Sequence, residues 1–226
     1  MTPKLPKLVF GKGNAKLGSE IYTFSLPAGY SCPGAKLCQS RADRHTGKIA
    51  DGKDTLFRCF AASQEALYPA VRKSRWANFE ALKKLDTQEM INLITISLPK
   101  KARIVRIHVS GDFFSAQYFN AWYAVAEMHP HILFYAYTKS VHLIPEMWPQ
   151  NFRLTFSEGG KYDYLIEGRK SARVVFDPIE AEALGLEVDH DDSHAYDSDS
   201  SFALLIHGTQ PKGSMASRAK SKLKKK

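Results

Sequence analysis

The chain has 226 residues, of which 44% are hydrophobic and 12% aromatic, and its formal net charge is +9. This length and composition predict one globular domain with room for a sizeable core. No stretch approaches the roughly 20 consecutive apolar residues that cross a bilayer, and residues 1–4 do not begin a signal peptide. We therefore expect a soluble, intracellular protein without membrane contact, in which thiols stay reduced.

The positive charge is concentrated at the two ends of the chain. Residues 212–226 contain seven Lys or Arg and residues 1–16 contain four Lys, with no acidic residue in either range, so the remainder has a net charge of −2. A terminal lysine run is typical of a solvated tail. The sequence thus predicts a domain over residues 1–211 and a basic, disordered tail over residues 212–226. Through that tail we expect only weak, salt-sensitive contact with nucleic acid.

Strand-like and helix-like patterns alternate along the chain. In chain order they predict a strand at 21–26, a helix at 63–85 interrupted at Pro69, a helix at 88–98, a strand at 103–109, a helix at 115–128, a strand at 132–137, a short helix at 142–147, strands at 152–156 and 173–176, a helix at 178–184 and a strand at 202–206. Asp86 or Thr87 is expected to cap the second helix, and Ser115 the third. The alternation is typical of βαβ units, so the predicted fold class is α/β with a mainly parallel sheet.

Small and polar residues follow the predicted strands, where the working residues of parallel sheets collect. The candidate cofactor-binding residues at these positions are Ser110, Gly111, Asp112, Tyr137, Lys139, Ser157 and Glu158. The Asp112 carboxylate can hold an ammonium or hydroxyl group, and Lys139 can pair with a carboxylate or phosphate. The alternatives are a plain strand-to-helix turn at Gly111 and a surface position for Lys139.

Three cysteines lie near the start of the chain with the spacing C-x5-C-x20-C: Cys32, Cys38 and Cys59. An odd number of thiols is a poor disulfide framework, whereas three thiolates can hold zinc or an iron–sulfur cluster with one iron left open. Zinc would need a fourth ligand, for which His45 and His108 are candidates. The turn-rich segment at residues 43–53 is expected to fold Cys59 back. The alternative is that the cysteines only pack in the core.

Charged residues elsewhere allow more than one interpretation. Five basic residues near the cysteines either offset negative charge there or solvate helices: Arg41, Arg44, Arg72, Lys73 and Arg75. His207, after the last predicted strand, is a further candidate for the site. The acidic segment at residues 189–199 lacks the Gly and terminal Glu of an EF-hand loop, so it is interpreted as solvated and mobile.

Five stretches carry a recognisable pattern: Leu26-Pro27-Ala28-Gly29 with Cys32-Pro33-Gly34-Ala35 and Cys38, Arg58-Cys59-Phe60-Ala61-Ala62, His108-Val109-Ser110-Gly111-Asp112-Phe113-Phe114, Phe134-Tyr135-Ala136-Tyr137-Thr138-Lys139-Ser140 and Leu205-Ile206-His207-Gly208-Thr209-Gln210. In these stretches, over about residues 8–211, the chain resembles a family of bacteriophage-encoded proteins, the gene product eighty-eight group. Members look like viral iron–sulfur proteins. The resemblance implies a [4Fe-4S] cluster on the three cysteines and a place in the cytoplasm of an infected bacterial host.

A looser resemblance is to radical S-adenosylmethionine (SAM) enzymes. In those, three cysteines after the first strand of a partial (β/α) barrel hold a [4Fe-4S] cluster, and a Gly-Gly-Glu turn after the second strand binds the SAM amino group. Here Ser110-Gly111-Asp112 stands in place of that turn, with Asp112 in the carboxylate role. The cysteine spacing departs from the usual C-x3-C-x2-C. The resemblance implies a single-domain, partial or distorted (β/α) barrel with SAM as a second cofactor.

Three hypotheses about function follow. The first is a [4Fe-4S] protein with radical-SAM-like chemistry at the open iron, acting on a small-molecule or macromolecular substrate. The second is a non-catalytic iron–sulfur protein that serves electron transfer, sensing or phage assembly. The third is a zinc-stapled, nucleic-acid-binding protein that uses the basic ends of the chain.

Overall fold

The computed structural model describes residues 7–13 and 17–223. Its strands are β1 (Gly11–Lys12), β2 (Ile21–Ser25), β3 (Ser40–Ala42), β4 (Ile49–Asp51), β5 (Ile104–Ser110), β6 (Leu133–Thr138), β7 (Phe152–Ser157), β8 (Ser171–Val175), β9 (Glu187–Val188) and β10 (Phe202–Leu205). Its α-helices are α1 (Phe60–Leu67), α2 (Pro69–Leu82), α3 (Thr87–Ser97), α4 (Ala116–Met128), α5 (Pro178–Ala183), α6 (Ser193–Asp197) and α7 (Met215–Leu223). Short 3₁₀ helices lie at Val141–Leu143 and Asp163–Leu165.

Eight strands form one sheet in the order β1-β2-β5-β6-β7-β8-β10-β9, and β3 pairs with β4 in a separate hairpin. Strand β1 runs antiparallel to β2, and the other neighbours in the large sheet are parallel. The prediction of a single α/β domain with a mainly parallel sheet is confirmed. The sheet is open, because β1 and β9 lie at opposite edges and do not pair with each other.

The helices begin where the sequence provides caps. Pro69 separates α1 from α2 and stands in the first turn of α2, where its missing N–H removes no helical hydrogen bond. Of the two capping candidates before α3, Asp86 is the cap: it accepts a hydrogen bond from the Glu89 amide at 2.8 Å, and Glu89 accepts one in return at 2.9 Å. Ser115 caps α4, as predicted, by accepting from the Tyr118 amide at 3.2 Å.

The sheet is covered on both faces. Helices α3 and α4 pack on one face, in a core that includes Leu93, Ile94, Val105, Tyr118, Phe119, Trp122, Phe134 and Leu154. Helix α6 packs on the other face, in a smaller core that includes Leu17, Ile21, Tyr135, Ala172, Ala195 and Phe202. Neighbouring residues of a strand point to opposite faces, so Phe134 and Tyr135 of β6 belong to different cores.

Strand β5 has an irregular pairing with β2 near its carboxyl end. Thr23 pairs with Arg106 and Ser25 with Ser110, so β5 has two extra residues between these pairs. His108 lies in this irregular stretch with a φ of +67°, a left-handed conformation that costs energy for a residue with a side chain. An irregularity of this kind changes the direction of the side chains that follow. It therefore decides where Ser110 and its successors point.

The acidic segment at residues 189–199 is not the solvated, mobile loop that the sequence predicts. Asp189 and Asp192 are buried, and residues 193–197 form α6. The Asp192 carboxylate forms an ion pair with Arg106 and accepts a hydrogen bond from the Tyr135 hydroxyl at 3.4 Å. The reason is long-range: Arg106 extends from β5 into the second core, where its charge needs a buried counter-charge.

Part of the segment predicted as a basic, disordered tail is helical. Residues 215–223 form α7, and Ala216 is fully buried against Phe57 and Ile206. Ala219 and Leu223 pack against the same cluster, so this side of α7 is anchored to the domain. Residues 224–226 of the predicted tail lie outside the described residues. Among residues 7–13 and 17–223, no helix is long and apolar enough to span a membrane.

We predict that Asp192→Asn lowers the free energy of unfolding by about 3 kcal/mol, because Arg106 loses its charged partner in a buried setting. Asn keeps the shape and tolerates the left-handed backbone at this position (φ +69°). The matched control is Asp199→Asn, in the same segment. The Asp192 side chain is 1% exposed and that of Asp199 is 91% exposed. The control should therefore change stability by less than about 0.5 kcal/mol in urea denaturation. Equal effects would contradict the buried pair.

Candidate metal centre

The loop that carries Cys32 and Cys38 lies across the carboxyl ends of the parallel strands. The Leu37 amide donates to the Gly159 carbonyl at 2.9 Å, and the Lys161 amide donates to the Gly34 carbonyl at 2.9 Å. Gly34 is required by this close approach, because a Cβ atom there would lie 2.1 Å from the Lys139 carbonyl oxygen. The loop is thus fixed to the ends of β6 and β7.

The β3–β4 hairpin brings Cys59 back to this loop. Strand β3 pairs antiparallel with β4, so the chain reverses direction between Cys38 and Cys59, as predicted from the turn-rich segment. The Leu56 amide then donates to the Leu37 carbonyl at 2.8 Å, and the Cys59 amide donates to the Ser40 hydroxyl at 3.2 Å. A separation of 20 residues in sequence therefore becomes a short distance in space.

The three thiols interact electrostatically with one another. Burial raises the pKa of Cys32 well above its ordinary value, and Asp112, Cys59 and Cys38 raise it further. Burial and the neighbouring Cys38 raise the pKa of Cys59 to about 11. Burial also raises the pKa of Cys38, although the Lys139 ammonium opposes this. All three are free thiols. In the described ranges, no group of three or more His, Cys, Asp and Glu residues is placed to hold a single metal ion.

Asp112 holds the carboxyl ends of β5 and β6 together. Its Oδ1 accepts hydrogen bonds from the Thr138 hydroxyl at 2.6 Å and the Phe113 amide at 2.7 Å, and its Oδ2 accepts from the Lys139 amide at 2.8 Å. Burial raises the pKa of Asp112, and these hydrogen bonds oppose the rise. The carboxylate is therefore beside Cys32, as its effect on the thiol pKa shows, but it is already engaged within the protein.

The other two residues of the predicted turn are also structural neighbours of the cysteine loop. Gly111 has a φ of +88°, and a Cβ atom there would lie 2.6 Å from both the Leu26 Cβ and the Ser31 hydroxyl. Only glycine fits this position. The Ser110 hydroxyl donates to the Glu65 Oε1 at 3.1 Å. The turn thus joins the cysteine loop to helix α1.

Lys139 is buried and its ammonium group faces the end of β7. It donates to the Ser157 hydroxyl at 2.7 Å, to the Ser157 carbonyl at 3.0 Å and to the Glu158 carbonyl. All three N–H groups are therefore used within the protein. The same ammonium lowers the pKa of Cys38, so the structure brings Lys139 and Ser157 to the cysteine side of the sheet.

Tyr137 and Glu158 are directed elsewhere. Tyr137 lies on the face of the sheet opposite Thr138, with its ring under the Arg106 guanidinium at 5.0 Å and against Phe202. The Glu158 carboxylate accepts from the Ser171 hydroxyl at 2.8 Å. It also lines an open cavity of about 600 Å³ beside β8. The physical reason is the alternation of side chains along a strand.

A buried ion pair that the sequence analysis missed lies behind Cys59. Glu65 is fully buried and accepts hydrogen bonds at Oε1 from the Arg75 guanidinium and from the Ala28 amide, both at 2.9 Å. Its Oε2 has no hydrogen-bond partner among the described residues. Arg75 also interacts electrostatically with Cys59. The signal in the sequence is Glu65 itself, a charged residue on the same face of α1 as Ala61 and hence on its buried side.

The two histidines proposed as zinc ligands have different surroundings. His45 lies exposed at the turn of the β3–β4 hairpin. His108 is buried, with its Nε2 3.0 Å from the Tyr118 hydroxyl, and burial lowers its pKa to about 3. His108 is therefore a neutral histidine packed against α4. His207 is exposed, and its ring lies against that of Phe60 in a tilted arrangement.

The Gene product 88 family matches residues 7–225. The chain belongs to this family. The Gene 88 protein of Mycobacterium phage L5 is 28% identical over 138 residues, which cover 56% of this chain and 51% of that protein. The Gene 88 protein of Mycobacterium phage D29 is 29% identical over 138 residues, covering 56% and 50%. The predicted membership of a bacteriophage family is confirmed.

The chain spans about half the length of these curated relatives. The family description and both names give a gene number and no activity. No solved structure matches the chain. The chemistry of the cysteine centre therefore has to be argued from its own residues.

We predict that the thiols of the folded, metal-free protein react slowly with iodoacetamide. At pH 8, a thiol with a pKa of about 11, as for Cys59, is about 0.1% ionised, against about a quarter for a free cysteine. Alkylation of Cys59 followed by mass spectrometry should therefore be about 100-fold slower in the folded protein than in urea. Equal rates at all three cysteines in both conditions would contradict the partly desolvated setting of the cysteines in the folded chain.

Proposed function

We propose that this protein binds a [4Fe-4S] cluster through Cys32, Cys38 and Cys59 at the carboxyl edge of its sheet. One iron would then have no protein thiolate. The observation that carries the proposal is the placement of three free, partly buried cysteines from two separate segments at the carboxyl ends of the strands. Hydrogen bonds hold the segment of Cys59 against the loop that carries Cys32 and Cys38. Thiolates are the ligands that iron–sulfur clusters take.

The surroundings of the thiols fit a cationic cluster core. Burial and mutual repulsion raise the thiol pKa values, so three thiolates are unfavourable there unless positive charge is added. Arg75, beside Cys59, and Lys139, beside Cys38, supply part of that charge. The Gly29 amide donates a hydrogen bond to the Cys32 sulfur at 3.3 Å, which favours the thiolate.

The proposal names a cluster rather than a single zinc ion. Thiolates around one zinc must all approach within about 2.3 Å of the same point. In a [4Fe-4S] cluster each thiolate binds a different iron, so neighbouring thiols need not converge. The exposed position of His45 and the hydrogen bond of His108 to Tyr118 also give the zinc hypothesis less support.

We further propose that the open iron and Ser110-Gly111-Asp112 form a site for SAM. When bound, a reduced cluster of this kind supplies the electron that cleaves SAM to a carbon radical. In this proposal Asp112 is a positioning residue, because the hydrogen bonds that it accepts from the Thr138 hydroxyl and the Lys139 amide fix the end of β6 beside the cysteines. Tyr137 and Glu158 have no part in it, since their side chains face other regions.

A non-catalytic iron–sulfur protein is the second candidate, and one observation favours it. The Asp112 carboxylate and the Lys139 ammonium, the charged groups expected to hold a ligand, are already hydrogen-bonded within the protein. A cluster that serves electron transfer, sensing or phage assembly does not need SAM as a second ligand.

The proposal also includes the type of fold and the cellular location. The parallel strands from β2 to β8 follow one another in chain order across the sheet, apart from the hairpin, which is the strand order of a partial (β/α) barrel. We also place the protein in the cytoplasm of the infected bacterium, where reducing conditions keep thiols available for iron.

The proposed ligands are tested by replacing each cysteine with serine. We predict that Cys32→Ser, Cys38→Ser and Cys59→Ser each lose most of the brown iron–sulfur chromophore after anaerobic reconstitution, because each removes one of three thiolates. Tyr137→Phe is the control, since Tyr137 lies on the opposite face of the sheet. A cysteine variant that kept full iron and sulfide while folded would remove that residue from the proposed ligand set.

Titration with SAM separates the two candidates. The catalytic proposal predicts a change in the electron paramagnetic resonance spectrum of the reduced, reconstituted protein when SAM is added, and cleavage of SAM that the cysteine variants lack. An unchanged spectrum and no cleavage under strong reduction would reject the SAM site and leave the non-catalytic candidate.

A further inference from the structure

We propose that α7 and the turn at residues 207–210 form a binding surface for single-stranded nucleic acid beside the cysteine centre. The proposal concerns a different surface from the cluster site, and it does not depend on iron. Residues 215–223 of the basic segment are helical. Ala216 is fully buried between Phe57 and Ile206, so the lysines of α7 have defined positions rather than those of a free tail.

The exposed charge on this surface is entirely positive. Residues 212–226 contain no acidic residue, whereas the chain between residues 17 and 211 has a net charge of −2. Lys212, Arg218 and Lys222 are exposed. A fixed row of cations on an otherwise slightly acidic domain is suited to a polyanion.

A small cleft beside α7 has the chemistry of a phosphate site. Its volume is about 190 Å³, and it is lined by Thr209, Gln210, Ser217, Lys220 and Ser221. Hydroxyl groups and an ammonium are the donors that commonly contact phosphate oxygens in nucleic-acid complexes. Lys220 is held at the cleft by a hydrogen bond to the Gly208 carbonyl.

An aromatic pair next to the cleft favours a nucleic acid over other polyanions. His207 is exposed, and its ring lies against Phe60 with 3.5 Å between the ring centres and a tilt of 31°. Proteins that bind single-stranded nucleic acids stack the bases on exposed aromatic rings while cations contact the backbone. A membrane surface or an acidic peptide would use the lysines but has no base to stack.

The surface is physically connected to the cysteines. Phe60 directly follows Cys59, and the Ser63 hydroxyl of the same helix donates to the Thr209 carbonyl at 3.1 Å. Cys38 packs against the cluster that anchors α7. A single-stranded nucleic acid bound along α7 would therefore pass close to the proposed cluster.

The test is binding of a fluorescent single-stranded oligonucleotide to the full chain, measured by anisotropy over a range of salt concentrations. The variant is Arg218→Glu with Lys222→Glu. We expect an affinity loss of about tenfold and a salt slope smaller by about 1.4, as two lost phosphate contacts imply. The control is Lys100→Glu with Lys101→Glu, which changes the net charge equally at exposed positions before the amino end of β5, whereas the proposed surface follows the carboxyl end of β10.

Equal losses of affinity in the two double variants would show an effect of net charge alone and overturn the proposed surface. Failure of the wild-type chain to bind would also overturn it.

A second experiment uses His207→Ala with the oligonucleotide and with heparin, a polyanion without bases. We expect weaker oligonucleotide binding and unchanged heparin binding. If His207→Ala weakens the binding of both ligands equally, the surface binds polyanions without reading a base, and the nucleic-acid assignment is wrong. Because these measurements do not report on iron, their failure would leave the cluster proposal unaffected.

Discussion

Partial desolvation of three neighbouring cysteines is the constraint on which the rest of this site depends. The fold brings Cys32, Cys38 and Cys59 into one region with limited exposure to water, which raises the pKa of each, and their thiolates would repel one another. Such an arrangement is unfavourable for thiolates and becomes favourable when a cationic group binds them. The buried cations Arg75 and Lys139 reduce the repulsion without removing it.

The surrounding structure is organised to hold that region in place. Asp112 ties the end of β5 to the end of β6, and the irregular stretch at His108 sets the direction in which that end leaves the sheet. Glycines at 34 and 111 allow the cysteine loop to approach these ends closely. The same contacts that fix the loop also satisfy the polar groups expected to bind a ligand, so rigidity and ligand binding compete at this edge of the sheet.

The regular elements could be predicted from the sequence because hydrophobic periodicity and caps are local. The two- and three-residue strands β1, β3, β4 and β9 were not predicted, since so few residues show no period. The ion pairs of Arg106 with Asp192 and of Arg75 with Glu65 were not predicted, because their partners are not neighbours in sequence. The reversal of the chain between Cys38 and Cys59 was predictable from the turn-rich segment between them, whereas a shared metal site stays a prediction. The position of Tyr137 on the face away from the cysteines was not predictable, because a shift of one residue in the alternation along β6 exchanges the two faces.

The central claim is that the three thiols hold an iron–sulfur cluster. The most direct measurement is the iron, zinc and acid-labile sulfide content of the protein purified without exposure to air, together with its visible absorption spectrum. We expect about four irons and four sulfides per chain, as a [4Fe-4S] cluster requires. Zinc without sulfide, or no metal in a folded chain after reconstitution with iron and sulfide, would contradict it.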